Sequence, residues 1–186
     1  MPNGQFGTRL QGGKDSASER YIFTQLSKIT RHIFNQADDN ILTYLNDDGL
    51  MVEPVFYAPI IPMVLVNGSK GIGTGFSTDI MCYNPLDIID YLKDKLTDQL
   101  SGVKIFKPYY EGFKGKIQCC VDMEKATDND TLVKNLKWMF KGVYEKVAAD
   151  KIRVTELPVG FWTEDFKELL ENLIDPGVDK EGKKIL

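Results

Sequence analysis

The chain has 186 residues and a mass of 21.1 kDa, enough for one domain or two small ones with a hydrophobic core. No apolar run approaches the length of a membrane span and the N-terminus lacks the pattern of a secretory signal, so we expect a soluble, intracellular protein with no membrane partner. The net charge of −4 would argue against a nucleic-acid partner if the charge were spread evenly.

The charge is distributed unevenly along the chain. Residues 1–35 carry five lysines and arginines against two acidic residues, whereas residues 36–60 carry five acidic residues and no lysine or arginine. Because electrostatic fields are short-ranged in physiological salt, a basic patch can hold phosphates even beside an acidic face. Binding of nucleic acid by the N-terminal part is therefore compatible with the composition.

A glycine- and serine-rich loop, residues 4–24, comes first and carries Arg9, Lys14, Arg20 and Tyr21. Small residues let the backbone approach a partner closely, and the three cations can form charge-assisted bonds to anions, a combination that suits a phosphate backbone. Because phenols titrate near pH 10, a tyrosine is a poor nucleophile unless a cation or metal stabilises the reacting charge. The alternative is that Tyr21 simply begins a half-buried strand.

Periodicity predicts the elements that follow the loop. Apolar residues at helical spacing predict one helix over residues 26–34 and a second, short helix over residues 41–45, which ends at a turn signal. The apolar run 62–66 predicts a buried strand that leads into a glycine-rich loop, and residues 76–83 are predicted to be irregular.

The glycine-rich loop, residues 67–75, has three interpretations. A nucleotide site is disfavoured, because no Gly-Lys-Ser/Thr closes the loop and no helix is expected directly after it. Ile72 lies between glycines, which suits an apolar wedge that enters a DNA base step and kinks the duplex, with Lys70 as a candidate contact to a nearby phosphate. The third interpretation is a loop that buries one isoleucine for packing.

Asn84 and Pro85 predict the start of a helix, by capping and by the preference of proline for the first turn. Residues 97–108 are predicted to be a linker and a domain boundary. Beyond it we predict strands over 115–121, 138–147 and 151–157, with a turn at 148–150, a polar loop near 128–130 and a possible short helix over 132–136. Thr163 is predicted to cap a final helix that buries Phe166 and three leucines and ends near residue 175.

The cysteines and the single histidine indicate no metal site. Cys82, Cys119 and Cys120 lack metal-ligand spacing, and His32 lies in a helical pattern. Neighbouring side chains on a strand point to opposite faces, so Cys119 and Cys120 are not expected to form a disulfide. These features favour a reducing compartment.

Several motifs resemble one family along nearly the whole chain. They are Gly4–Arg9, Gly12–Asp15, Ala17-Ser18 and Arg20–Thr24; Glu53-Pro54, Pro59–Leu65, Asn67-Gly68 and Gly71–Gly75; then Phe113–Gly115, Thr155–Val159 and Trp162-Thr163. In this order they resemble eukaryotic-type (type IIA) DNA topoisomerase II around its active-site tyrosine.

The resemblance implies an α+β chain, with residues 1–96 as the C-terminal part of a winged-helix domain, 97–108 as a linker and 109–186 as the start of an α/β tower domain. It also implies that the chain is a piece of a longer enzyme, inactive by itself. In that enzyme Tyr21 forms a 5′-phosphotyrosyl link during double-strand cleavage and religation, assisted by Arg20. Arg9, Lys14 and Lys70 bind DNA, and Ile72 intercalates and bends it.

Partners and cofactors are also implied by the resemblance. They are double-stranded DNA, a second protomer in a homodimer, and Mg²⁺ and ATP bound outside this segment; the expected compartment is a nucleus or viral replication site. Two alternative functions stay open: a non-catalytic DNA-bending module and a nucleotide-binding enzyme built on the glycine loop.

The chain departs from the family at Glu19, where proline or alanine is usual, and at Gln11, where histidine is common. Glu19 would put a carboxylate near the phosphate.

Overall fold

Short antiparallel strand pairs and helices form the regular structure in the computed structural model, which describes residues 2–102, 104–120 and 136–175. The strands are β1 (Pro2–Asn3), β2 (Phe23–Thr24), β3 (Tyr44–Asp47), β4 (Leu50–Pro54), β5 (Ser69–Ile72), β6 (Ser77–Ile80), β7 (Lys116–Cys119), β8 (Trp138–Lys141), β9 (Val143–Ala148) and β10 (Lys151–Glu156). The helices are α1 (Thr30–Ile33), α2 (Met63–Asn67), α3 (Pro85–Leu96) and α4 (Thr163–Ile174), with 3-10 helices at Glu19–Tyr21 and Gln36–Ile41. The predicted α+β class is confirmed.

The described residues divide into two packed units. The first contains the residues up to Gln25 and those from Gly112 onward, with the strand pairs β1–β2, β7–β8 and β9–β10 and helix α4. The second contains Leu26–Glu111, with the pairs β3–β4 and β5–β6 and helices α1 to α3. The assignment of residues to winged-helix, linker and tower segments stays a prediction.

The helix predicted over residues 26–34 is wrong except for its last turn, α1. Leu26 and Ile29 are largely exposed, so the stretch lacks the packed apolar face on which most helical stability in proteins depends. The short helix predicted over 41–45 is also wrong, because this stretch runs into β3. Asp48 and Gly49, both with positive φ, turn the chain from β3 into β4, as in a hairpin.

The buried strand predicted over residues 62–66 is instead the short helix α2, which follows Pro62 and has no buried residue. A short apolar run fits a helix or a strand equally well, and the proline favoured the helical start here. The irregular segment predicted over 76–83 is wrong for Ser77–Ile80, which forms β6 and pairs with β5.

Helix α3 confirms the prediction made from Asn84 and Pro85. The Asn84 side chain accepts a hydrogen bond from the Leu86 amide at 2.9 Å, and Pro85 lies in the first turn. Ile88 on this helix is 1% exposed and anchors the core of the second unit. The Phe106 ring packs near Tyr91, with centroids 5.5 Å apart, so the stretch after α3 folds back onto it.

Replacing Ile88 with alanine is expected to lower the free energy of unfolding by about 3 kcal/mol, because it leaves a cavity in a packed site. Leu96→Ala on the same helix is the matched control; its side chain is 85% exposed and the change should cost at most about 0.5 kcal/mol. Urea denaturation of both variants measures the difference, and equal costs would contradict this placement of the core.

In the first unit, the strands predicted over 115–121 and 151–157 are confirmed as β7 and β10 within a residue of their ends, as is the turn at 148–150, except that Val121 lies outside the described residues. The single strand predicted over 138–147 is two strands, because the chain changes partners at Gly142, where a Cβ would overlap the Glu156 carbonyl. The polar loop near 128–130 and residues 132–135 of the possible helix lie outside the described residues; Leu136 is not helical.

The final helix, α4, is confirmed, but Thr163 does not cap it. Thr163 is its first helical residue, and the N-cap position is Trp162, without a side-chain cap. Leu169, Leu170 and Leu173, predicted to be buried, are 44 to 62% exposed.

Candidate active site

The loop that precedes the candidate nucleophile, residues 4–22, is called the tyrosine loop here. Its base is closed by β1 and β2, in which Asn3 pairs with Phe23. Within it the Ala17 amide donates to the Gln5 carbonyl at 3.0 Å. Gly7, with φ +95°, passes so close to Gly13 that any Cβ would overlap the Gly13 backbone. The glycines therefore allow two arms of the loop to lie against each other.

Two hydrogen bonds from Thr8 to Asp15 also join the two arms of the loop, and they are called the clasp here. The Thr8 amide donates to Asp15 Oδ1 at 2.8 Å, and the Thr8 hydroxyl donates to Oδ2 at 2.6 Å. The hydrogen bond from the Thr8 side chain, followed by that from its amide, lowers the pKa of Asp15 below its ordinary 3.8. The clasp thus contributes stability at neutral pH, and this contribution is lost as the pH falls through the lowered pKa.

Tyr21 ends the 3-10 helix Glu19–Tyr21, where its amide donates to the Ser18 carbonyl at 2.9 Å. Its side chain is 63% exposed, so the interpretation as half-buried core does not hold. The Arg20 guanidinium lies over the Tyr21 ring, with Cζ 5.0 Å from the centroid, a cation–π geometry. The structure thus places an accessible phenol beside a cation, and both groups can contact the same anion.

The other predicted cation of this loop, Lys14, is exposed, as is Glu19. Neither side chain forms an ion pair with a residue that the structure describes. Both charges can therefore meet an anion that approaches the loop. Glu19 would oppose it and Lys14 would attract it.

Arg9 is placed differently from the other predicted cations. Its Nη2 donates to the carboxylate of Glu156, which is 7% exposed, and lies 3.4 Å from the Leu157 carbonyl. Sequence reasoning missed Glu156 as a site residue. Its only signal was its position in the Thr155–Val159 motif, at the end of a predicted strand and two residues before Pro158.

The predicted wedge lies at the tip of the hairpin β5–β6, in the second unit. Ile72 pairs with Ser77 and is 92% exposed, which excludes the interpretation as a buried packing residue. Alternation along β5 puts Lys70 on the same face as Ile72. Phe76, which sequence reasoning missed, is 90% exposed beside the turn and its carbonyl accepts from the Gly73 amide at 3.0 Å.

The described residues offer no group of three or more His, Cys, Asp or Glu side chains able to hold a metal ion. These residues therefore provide no clustered ligand set to which a magnesium ion could be assigned. Among the same residues no helix is both long and apolar enough to cross a membrane.

An exposed tyrosine with an adjacent arginine on a glycine loop is a candidate site for phosphoryl transfer, because a cation can stabilise the charge that develops on an attacked phosphate. Comparison with known proteins gives the family. The model of the family formed by the A subunits of DNA gyrase and topoisomerase IV matches residues 1–185, and the chain belongs to this family. The resemblance to type IIA topoisomerases is thereby confirmed.

Curated relatives agree with this assignment. The chain is 49% identical over 179 residues to the mitochondrial DNA topoisomerase 2 of Dictyostelium discoideum, covering 96% of this chain and 13% of that protein. It is 47% identical over 173 residues to DNA topoisomerase 2 of Arabidopsis thaliana, covering 93% of this chain and 11% of that protein. The chain thus spans only a small part of the length of these relatives.

A solved structure shows the same fold. The crystal structure of the Plasmodium falciparum topoisomerase II DNA-binding, cleavage and re-ligation domain matches with a TM-score of 0.77 and 43% sequence identity. The match covers 93% of this chain and 22% of that one. The α+β arrangement described above is therefore also found in part of that solved domain.

Proposed function

We propose that this chain is part of a type IIA DNA topoisomerase that cleaves both strands of a duplex transiently and reseals them, allowing ATP-dependent strand passage in the intact enzyme. The observation that carries the proposal is the pair at the end of the tyrosine loop, the exposed Tyr21 under the Arg20 guanidinium. Family membership and the relatives' names support the same reaction class.

In the proposed reaction the Tyr21 Oη attacks a backbone phosphorus and loses its proton. The P–O3′ bond breaks, the 3′ oxygen gains a proton, and the 5′ phosphate stays esterified to Tyr21. The reverse attack by the 3′ hydroxyl reseals the strand, so the phosphodiester energy is conserved without a separate ligase. The Arg20 guanidinium, held beside the phenol, stabilises the extra negative charge on the phosphate in the transition state.

The remaining predicted residues are proposed to hold the duplex. Lys14 and Lys70, both exposed, contact flanking phosphates and fix the register without reading sequence. The sequence also predicted a phosphate contact at Arg9, but in the structure its guanidinium pairs with Glu156. Ile72 enters a base step as a wedge and bends the DNA.

The partners and cofactors are proposals for the whole enzyme. A homodimer would supply one tyrosine for each strand. Magnesium and ATP would bind at residues outside this segment; when bound, magnesium stabilises charge on the leaving oxygen. The proposed compartment is one that contains DNA, since the relatives include mitochondrial and viral forms.

Covalent trapping tests the proposal. The full-length protein is mixed with Mg²⁺ and a duplex labelled at either the 5′ or the 3′ end of the cleaved strand, then quenched with denaturant. A 5′-phosphotyrosyl enzyme should carry only the 3′-end label, because the protein is joined to the downstream piece. A folded, DNA-binding protein that gives no adduct would indicate a non-catalytic DNA-bending module instead.

Ile72→Ala is expected to weaken binding to bent duplex by about tenfold or more. An isoleucine side chain that becomes largely buried between base pairs on binding contributes roughly 1.5–3 kcal/mol to affinity. The bend angle, measured by energy transfer between the duplex ends, should fall as well. The matched control is Ile41→Ala, an isoleucine in the same unit that is 73% exposed but ends a 3-10 helix instead of lying at a hairpin tip. Equal effects of the two changes would contradict the wedge.

A further inference from the structure

Four consecutive residues of the tyrosine loop, 9–12, contact one distant segment, residues 156–164, and these contacts are called the anchor. Arg9 pairs with Glu156, and the Leu10 carbonyl accepts from the Glu164 amide at 3.1 Å. The Gln11 side chain donates to Glu164 Oε1 at 2.9 Å. Gly12, with φ +62°, lies so close to Trp162 that a Cβ would overlap the indole.

The centre of the anchor is the buried carboxylate of Glu156. Its side chain is 5% exposed, whereas that of Arg9 is 55% exposed. A buried carboxylate is costly unless it is paired with a cation or well hydrogen-bonded. Arg9 is its ion-pair partner among the described residues, so a move of Arg9 to a DNA phosphate would leave Glu156 without that partner.

The anchor also completes helix α4. The first turn of a helix has backbone amides without intrahelical acceptors, and Trp162 at the N-cap position offers no side-chain acceptor here. The Leu10 carbonyl accepts from one of these amides, that of Glu164. The start of α4 and this arm of the loop therefore stabilise each other.

We propose that Arg9 is a positioning residue, which pairs with Glu156 to hold the tyrosine loop in place and does not bind DNA phosphate. Thr8, next to Arg9, is clasped to Asp15, and Gln5 binds Ala17. These bonds connect the anchored arm to the arm that ends at Arg20 and Tyr21. The inference rests on the proposed function for its effect on cleavage.

Arg9→Gln, Glu156→Gln and the double variant test this in the full-length protein. Glu156→Gln is the decisive change, because it breaks the ion pair but leaves the Arg9 charge available to DNA. Each single change is expected to lower the rate of adduct formation about 100-fold, since a small misplacement of reacting groups can cost that much. The double variant should be no slower than the slower single variant, because both remove the same interaction.

The salt dependence of DNA affinity separates positioning from phosphate binding. The slope of log affinity against log salt should be unchanged in all three variants if Arg9 contacts no phosphate. A phosphate contact would instead reduce the slope by about one in Arg9→Gln and leave cleavage by Glu156→Gln at the wild-type rate. That pair of results would overturn the proposal.

Gln11→Ala tests the anchor without changing the buried Arg9–Glu156 pair, whose variants could fail to fold. It removes only the exposed bond to Glu164, so the melting temperature should stay within a degree or two while adduct formation slows several-fold. If Glu156→Gln does not fold, this variant decides, and a wild-type rate would overturn the anchor.

Hydrogen exchange keeps the anchor testable apart from the reaction. Amides of residues 5–20 should exchange faster in Arg9→Gln and Gln11→Ala than in the wild type, without DNA present. Unchanged exchange would overturn the anchor. A wild-type protein that forms no adduct, with exchange as expected, would instead count against the proposed function alone.

Discussion

Replacing Tyr21 with phenylalanine is expected to remove all covalent adduct between the protein and DNA, while DNA affinity changes less than twofold. The change deletes one oxygen atom, which is the only atom of the side chain able to form the phosphodiester link. The ring stays, so the cation–π contact with Arg20 and the local fold should persist. Denaturing gel electrophoresis of the quenched reaction with labelled duplex measures the adduct.

Tyr144→Phe is the matched control for this experiment. Tyr144 lies on β9 in the same unit and is 71% exposed, close to the exposure of Tyr21. This variant should form adduct at the wild-type level. An adduct that survives in Tyr21→Phe, or that disappears in Tyr144→Phe alone, would sink the nucleophile assignment.

Arg20→Gln is expected to slow adduct formation by about 10²- to 10³-fold, the size of effect seen when one preorganised donor to a developing anion is removed. Glutamine keeps hydrogen-bonding capacity but lacks the charge and the planar fork of the guanidinium. Because Arg20 acts on the transition state, the loss should fall mainly on the rate at saturating DNA and only slightly on affinity. Single-turnover cleavage at several DNA concentrations separates the two.

Arg153→Gln is the matched control for the arginine. Arg153 is on β10, is paired with Glu145 at 2.9 Å, and has a side chain that is 65% exposed. Exposed pairs of this kind contribute little to stability, so this variant should cleave at the wild-type rate. If Arg20→Gln instead weakens binding tenfold and leaves the saturated rate unchanged, Arg20 is a phosphate clamp and has no part in the chemical step.

Local signals predicted some elements well. Asn84 and Pro85 marked the start of α3, because a capping side chain and a proline at the first turn act within a few residues. The sequence also marks the Asp48-Gly49 turn, but it predicts a helix before this turn, whereas the structure has β3 before it and β4 after it. Residues 41–45 were too few to distinguish a helical period from a strand period.

Longer-range packing accounts for the other errors. Pro62–Val66 has the apolar character of a buried strand, yet the chain around it leaves α2 without a buried side chain. For α4 the sequence predicts a cap by Thr163, whereas Thr163 is the first helical residue and the Glu164 amide donates to the remote Leu10 carbonyl. A segment's burial and its remote hydrogen-bond partners depend on neighbours that periodicity does not contain.

The candidate site, like the fold, could be predicted from the sequence only in part. Through the resemblance of its motifs, the sequence indicated the family and the α+β class, and it located the loop that carries Arg20 and Tyr21 and the isoleucine between glycines, Ile72, because these motifs are only a few residues long. The structure decided that Ile72 is exposed. Only the tertiary structure decided that Arg9 pairs with Glu156, which lies 147 positions further along the chain. A buried carboxylate takes its partner from whichever cation the fold brings to it, and spacing in the sequence does not specify that contact.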